Sequence, residues 1–317
     1  MRDHSGRAGR LAPLIATAVA ATVLLGGCSV RLPGPSASPP ADSPSDSTPP
    51  DSTPQQPDGV AAGEGLVWAD EFDDSSGPSS SRWKRMEGAA GWGNDELQNY
   101  TDDDDNSFVA DGVLHIVARL EPTTDALGNS SDYTSARLMT KDAFRYGRVE
   151  ARIQVPAGSG LWSAFWMFGT FAPGTTWPGN GELDVMEYVN LSRELNSAVN
   201  GATDDGSLWS WAKARAVDAD FGRAWHVYAV DWTPDSITYS VDGQALGTLP
   251  KDDLEPGQRW SFDNPAHIIM NLAVGGRWPS ADIDQAAFPA QYLVDYVRVY
   301  DSEVHAVPDS WLPAPPP

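Results

Sequence analysis

From Leu66 to Tyr300 the chain never sustains apolar residues at a helical spacing, whereas short alternating runs bounded by Gly, Pro and Asp recur throughout. Val149, Ala151, Ile153 and Val155 alternate with Arg148, Glu150, Arg152 and Gln154, the pattern of a half-buried strand. Val227 to Trp232 and Ile237 to Val241, joined by Thr233-Pro234-Asp235-Ser236, read as a hairpin, and Asp242-Gly243 supplies the next turn. His267 to Val274 and Tyr292 to Tyr300 are further strands rich in β-branched and aromatic residues. With no helix to cover a sheet, two sheets must cover each other. The sequence therefore predicts an all-β sandwich of two antiparallel sheets.

Only part of the 317 residues can join that sandwich. Arg2, Arg7 and Arg10 precede the small and apolar run Leu11 to Leu25, which is too short for an ordinary membrane span and reads as an export signal over 1–27. It ends in Leu25-Gly26-Gly27-Cys28, similar to a bacterial lipobox, in which the cysteine is lipidated and becomes the mature N-terminus. The competing reading is a plain secretory signal. Cys28 is the one cysteine of the chain, so no intrachain disulfide can form. Residues 28–63 are mostly Pro, Ser, Asp, Thr, Gly and Ala, a composition that cannot bury a core and reads as a disordered tether. The expected domain runs over 64–302, followed by a disordered tail, 303–317. The expected location is extracellular, at the outer face of a bacterial cell membrane, with the lipid anchor as the sole membrane contact, and a monomer is the default.

The formal charge of −23 argues against nucleic acid or an anionic polymer as partner and leaves a neutral ligand, such as an uncharged polysaccharide, compatible. All 13 tryptophans fall at Trp68 or later, and all but Trp311 lie inside the expected domain.

The chemistry concentrates in Gly181-Glu182-Leu183-Asp184-Val185-Met186-Glu187-Tyr188. Side chains alternate along a strand, so Glu182 and Asp184 share a face while Glu187, five positions on from Glu182, would oppose them. One residue bulged out at about Val185-Met186 returns Glu187 to the first face. Three like charges in one row raise at least one pKa and weaken the fold, which marks a functional arrangement. Hydrolysis of a glycosidic bond needs one ionised and one protonated carboxyl group, and three acids on one face supply both. Tryptophans supply flat apolar platforms for sugar rings.

Glu182-Leu183-Asp184-Val185-Met186-Glu187 resembles the catalytic signature of glycoside hydrolase family 16 in its longer, laminarinase-like form; the form without the extra residue belongs with the lichenases. Further blocks match in order: Val67 to Phe72, Gly91 to Gln98, Tyr146 to Arg152, Leu161 to Met167, Asn271 to Pro279 and Val294 to Tyr300. The resemblance implies a β-jelly-roll with a concave substrate cleft and a retaining endo-β-1,3-glucanase. It makes Glu182 the nucleophile, Glu187 the general acid/base and Asp184 the helper between them. Trp92, Trp162, Trp166 and Trp278 become candidate sugar platforms, with Asn94 and Arg137 as polar contacts; the competing reading of each tryptophan is core packing. The chemistry requires no cofactor. A structural Ca²⁺, common among relatives, would map onto Glu71, the carbonyl of Gly112 and Asp295, against a competing reading of surface acids. Asp102 to Asp105 lacks the spacing of a calcium loop.

The chain departs from the family pattern at Asn200-Gly201, where many relatives carry His-Gly. An amide hydrogen-bonds but does not titrate, which leaves the preferred glycan open. The alternatives are the same fold acting on mixed-linkage β-1,3-1,4-glucan or a galactan, a transglycosylase, and a non-catalytic glucan-binding module. Retention of Glu182, Asp184 and Glu187 argues against the last.

Overall fold

The computed structural model describes residues 64–308, apart from 74–75, 172–173, 191, 219 and 280–281. The expected export signal, Cys28 and the tether lie outside the described residues, as does the chain beyond 308.

The described residues form two sheets and four short 3-10 turns, with no α-helix among them. One sheet runs in the order Gln244–Pro250, Ser236–Val241, His226–Trp232, Gly147–Gln154, Ala290–Tyr300, Val113–Thr124, Ser130–Ser135, Gln98–Tyr100. Leu66–Asp70 and Ser107–Ala110 add to it beside Ala290–Tyr300 and Val113–Thr124. The other runs Leu208–Ala216, Glu194–Ala202, Glu182–Val189, Leu161–Gly169, Ala266–Val274, Arg137–Thr140, Trp83–Arg85, with Asp142–Arg145 joining beside Ala266–Val274. Neighbours are antiparallel except Gln98–Tyr100 and Ser130–Ser135, which run parallel.

The predicted alternation holds where it was read. Val149, Ala151, Ile153 and Val155 are all buried, and the hairpin pairs Tyr228 with Val241 through to Trp232 with Ile237. One core joins the inner faces of both sheets: Phe165, Met167, Leu183 and Val199 from one meet Val230, Tyr239, Tyr292 and Val294 from the other. A second, smaller cluster of Met86, Met139 and Ile269 collects Trp92, Trp166 and Phe168. Ile268 and Met270 belong to the main core, so Ile269 between them points to the opposite face of its sheet. The outer face of the nine-stranded sheet thus has its own apolar floor, on the side that carries the carboxylates.

The domain extends past the expected end at residue 302. Glu303–Ala306 pairs with Asp142–Arg145, with Val304 opposite Phe144 and Glu303 ion-paired to Arg145. This corrects the disordered tail 303–317 at its start. The strand is short and Val304 is exposed, so it carries no alternation that a sequence reading detects.

Candidate active site

Glu182–Val189 lies between Leu161–Gly169 and Glu194–Ala202. On the first side the consecutive residues Phe165 and Trp166 pair with Met186 and Asp184, leaving Val185 over. On the second, Asp184 pairs with Ala198 and Glu187 with Asn196, so Val185 and Met186 together oppose Ser197. The bulge expected from the spacing is present. Leu183, Val185, Met186 and Tyr188 all enter the core, while Glu182, Asp184 and Glu187 share the outer face. Gly181, just before this strand, has φ 84, and a Cβ there would lie 2.4 Å from the Ser261 carbonyl oxygen, so only glycine fits.

The three acids differ in their partners. Glu182 accepts two hydrogen bonds: Asn200 Nδ2 donates to Oε1 at 2.7 Å and Trp177 Nε1 donates to Oε2 at 3.1 Å. Asp184 Oδ2 accepts from the same Asn200 Nδ2 at 3.0 Å. Glu187 accepts from Trp162 Nε1 at 3.2 Å.

Their electrostatics follow. Burial pushes the Glu182 carboxyl up, opposed by the Asn200 and Trp177 donors and the Arg137 charge. Burial raises Asp184 well above the usual range, and the charges of Glu182 and Glu187 push it further. Burial, then the charge of Glu182, carries Glu187 to about 8, with the Trp162 bond opposing. The donors and the Arg137 charge oppose burial at Glu182, whereas Glu187 keeps its proton to about 8, so the two carboxyls are set to titrate apart. That is the division of labour glycoside cleavage demands.

A row of polar and aromatic groups leads away across the strand order. Trp166, paired with Asp184, donates from Nε1 to Asn271 Oδ1 at 2.8 Å. Asn271 Nδ2 donates to the Tyr100 hydroxyl at 3.1 Å, and that hydroxyl donates to Glu96 Oε2 at 3.1 Å. Glu96 also accepts from Gln98 at 2.8 Å and Asn94 at 3.3 Å. Burial raises the Glu96 pKa against the pull of Arg137 and these three donors. The Arg137 guanidinium lies between two indoles, 4.6 Å from the Trp92 ring and 4.8 Å from that of Trp166. Its buried Nε has no hydrogen-bond partner. Trp162 and Trp278 meet edge to face at 5.4 Å beside Glu187, with Trp278 46% exposed.

Residues 94–298 match the family model for glycosyl hydrolases family 16. The chain belongs to that family. It is 40% identical over 247 residues to the beta-glucanase of Rhodothermus marinus, a match covering 74% of this chain and 84% of that protein. It is 33% identical over 276 residues to glucan endo-1,3-beta-glucosidase A1 of Niallia circulans, covering 78% of this chain and 39% of that longer protein. Among solved structures, the endo-beta-1,3-glucanase of Pyrococcus furiosus superimposes with a TM-score of 0.68 at 38% identity, over 75% of this chain and 94% of that one. The chain is a glycoside hydrolase.

Within this family 16 domain the structure gathers the sequence-predicted residues in part. Glu182, Asp184 and Glu187 stand together, Trp162 is bonded to Glu187 and meets Trp278, and Trp92, Arg137 and Trp166 form one stack with Asn94 tied to it through Glu96. The carboxylates of the expected calcium set are both paired with arginine. Glu71 accepts both Nε and Nη2 of Arg298 at 2.8 Å each, and Asp295 accepts from Arg152 at 2.7 Å. No group of three or more His, Cys, Asp or Glu among the described residues is placed to hold a metal. Glu71 and Asp295 are thus each engaged by an arginine that a calcium ion would have to displace. Two carboxylates already neutralised by arginine make poor cation ligands.

Sequence reasoning missed Trp177 as a partner of Glu182. It stands five residues upstream on a loop, and only its position in a tryptophan-rich stretch could have drawn notice. Glu96, Tyr100 and Asn271 were also missed as one network, although Glu96 and Asn271 lie inside blocks that carried the resemblance.

Proposed function

We propose that this protein is an endo-acting hydrolase of β-1,3-glucan that works with retention of anomeric configuration. The observation that carries the mechanism is the unequal support of the two glutamates. Two neutral donors, Asn200 and Trp177, favour ionised Glu182, whereas Glu187 has one donor and a pKa near 8. Glu182 then attacks the anomeric carbon as Glu187 gives its proton to the departing glycosidic oxygen. The glycosyl–Glu182 ester is hydrolysed by water whose proton returns to Glu187. Burial and the two glutamates favour the neutral form of Asp184, which adds no third negative charge beside Glu187. Water apart, the scheme draws only on side chains of this protein.

The substrate class rests on the named activities of the relatives and on this chain's own surface. The open sheet face presents indoles at Trp162, Trp177 and Trp278, which suit the neutral rings of a glucan. The Arg137 guanidinium, stacked against the Trp92 and Trp166 rings, adds a fixed positive group to that floor. The net charge of −23 disfavours sulfated or uronic polymers. We further read the protein as a monomer held outside the cell by a lipid on Cys28, with residues 28–63 as the tether. Labelling cells with palmitate, and its loss in Cys28→Ala, tests the anchor.

Reducing-sugar release from laminarin, barley mixed-linkage glucan and agarose by a chain beginning near Ala62, with Glu182→Gln in parallel, tests the enzyme. Release from laminarin by wild type alone supports the reading. Release from agarose alone, or equal release by both proteins, overturns it.

A further inference from the structure

Asn200 transfers no proton and forms no covalent bond in the two-carboxylate scheme, yet it touches two of the three acids. It sits directly opposite Glu182 in the strand register, and Ser210 on the next strand sits directly opposite Asn200. The amide Nδ2 carries two hydrogens, and both are committed: one to Glu182 Oε1 at 2.7 Å, one to Asp184 Oδ2 at 3.0 Å. Rotating that amide by half a turn would set its carbonyl oxygen against two carboxyl groups. Ser210 prevents this, because its hydroxyl donates to Asn200 Oδ1 at 2.5 Å, and an amide oxygen can only accept. The backbone beneath is fixed as well. A Cβ on Gly201 would lie 2.9 Å from the Trp209 indole, and that indole donates to the Ala202 carbonyl at 3.0 Å.

We infer that Asn200, oriented by Ser210, is a positioning residue that holds Glu182 and Asp184 in their reactive arrangement through a donor that does not titrate. The inference rests on the glycosidase reading above and deepens it. The groups facing Glu182 are Asp184 and Glu187 on its own strand and Arg137 across the sheet, with Tyr239 behind it from the other sheet. Tyr239 donates to the Ala198 carbonyl and stays protonated because burial and the three acids raise its pKa. Among these, Arg137 is the one cation, so removing the Asn200 donors leaves Glu182 with Trp177 as its remaining hydrogen bond. Its ionisation then shifts to higher pH.

The test compares pH–rate profiles of wild type, Asn200→Ala, Ser210→Ala and Ser210→Thr on laminarin. Asn200→Ala is expected to lower kcat by about ten- to a hundredfold, the worth of a hydrogen bond to a charged group. Ser210→Ala lowers it less. Both leave KM nearly unchanged and move the acid limb of the profile to higher pH, and Ser210→Thr, which keeps the hydroxyl, restores the wild-type limb. Ser210 is exposed, so its variants keep the test open should Asn200→Ala fail to fold. An unmoved acid limb in Ser210→Ala, or a loss confined to KM, overturns the inference. A substrate-free readout separates it from the glucanase reading. In ¹³C-glutamate-labelled protein the carboxyl resonance that disappears in Glu182→Gln should titrate at higher pH in Ser210→Ala than in wild type. Silence of wild type on laminarin refutes the substrate; an unshifted Glu182 resonance refutes the relay.

Discussion

Ser197 donates its hydroxyl hydrogen to the carbonyl of Val185, 2.7 Å away, at the residue where the catalytic strand is bulged. The bulge brings Glu187 to the face of Glu182 but removes the Val185 carbonyl from the ladder. A buried carbonyl without a partner is costly, and Ser197, fully buried, supplies the missing donor from inside the sandwich. The geometry of the acids thus depends on a hydroxyl in the core.

Replacing Ser197 with Ala should therefore destabilise the domain by about 1–3 kcal/mol, the penalty of an unsatisfied buried acceptor. It should also lower kcat more than Ser197→Thr does. Urea denaturation beside steady-state kinetics checks both; an unchanged midpoint and kcat would remove Ser197 from the account.

Glu187, with a pKa of about 8, sets the alkaline side of the behaviour. The kcat/KM should decline as pH rises through that value, as the acid is lost. Stability moves in the same direction. Between the unfolded carboxyl value and about 8 the folded state holds a proton the unfolded state has released, so stability falls as pH rises across that window. Glu187→Gln keeps the neutral form at all pH values, and its melting temperature should decline less steeply between pH 5 and about 8. A slope identical to wild type would contradict the assignment.

Arg137 is stacked between Trp92 and Trp166. Arg137→Ala should raise KM for laminarin by about tenfold with a smaller effect on kcat, because a fixed positive group is lost and an apolar slot opens. Arg137→Lys should recover little, since an ammonium neither stacks nor spans both rings. Isothermal titration of laminari-oligosaccharides into Glu182→Gln background variants gives the binding change directly.

Glu71 and Asp295 are committed to Arg298 and Arg152. Chelator treatment should accordingly leave the thermal midpoint where it was, while Glu71→Gln lowers it modestly. A midpoint that rises on adding calcium and falls on chelation would restore the metal site.

The strand pattern of this domain was legible because period-two alternation is a local property, visible in Val149 to Val155 without knowledge of any neighbour. The bulge was legible too, since apolar Val185 and Met186 in succession fit a core only if one of them is extra. What stayed hidden were contacts between distant segments: Trp177 to Glu182, Glu96 to Asn271 through Tyr100, and Ser210 to Asn200. The arginine pairing of Glu71 was hidden for the same reason, because its partner lies 227 residues away. The strand Glu303–Ala306 lacks any periodic signal and exists through its pairing with Asp142–Arg145.

The most direct test follows the anomeric proton signals of laminarin by NMR during the first minutes of hydrolysis. Attack by Glu182 on the α face, then by water on the β face that the leaving group vacated, predicts that the β-anomer appears first, with the α-anomer growing in later by mutarotation, and that Glu182→Gln produces neither. Initial appearance of the α-anomer, or turnover by Glu182→Gln, would contradict the account.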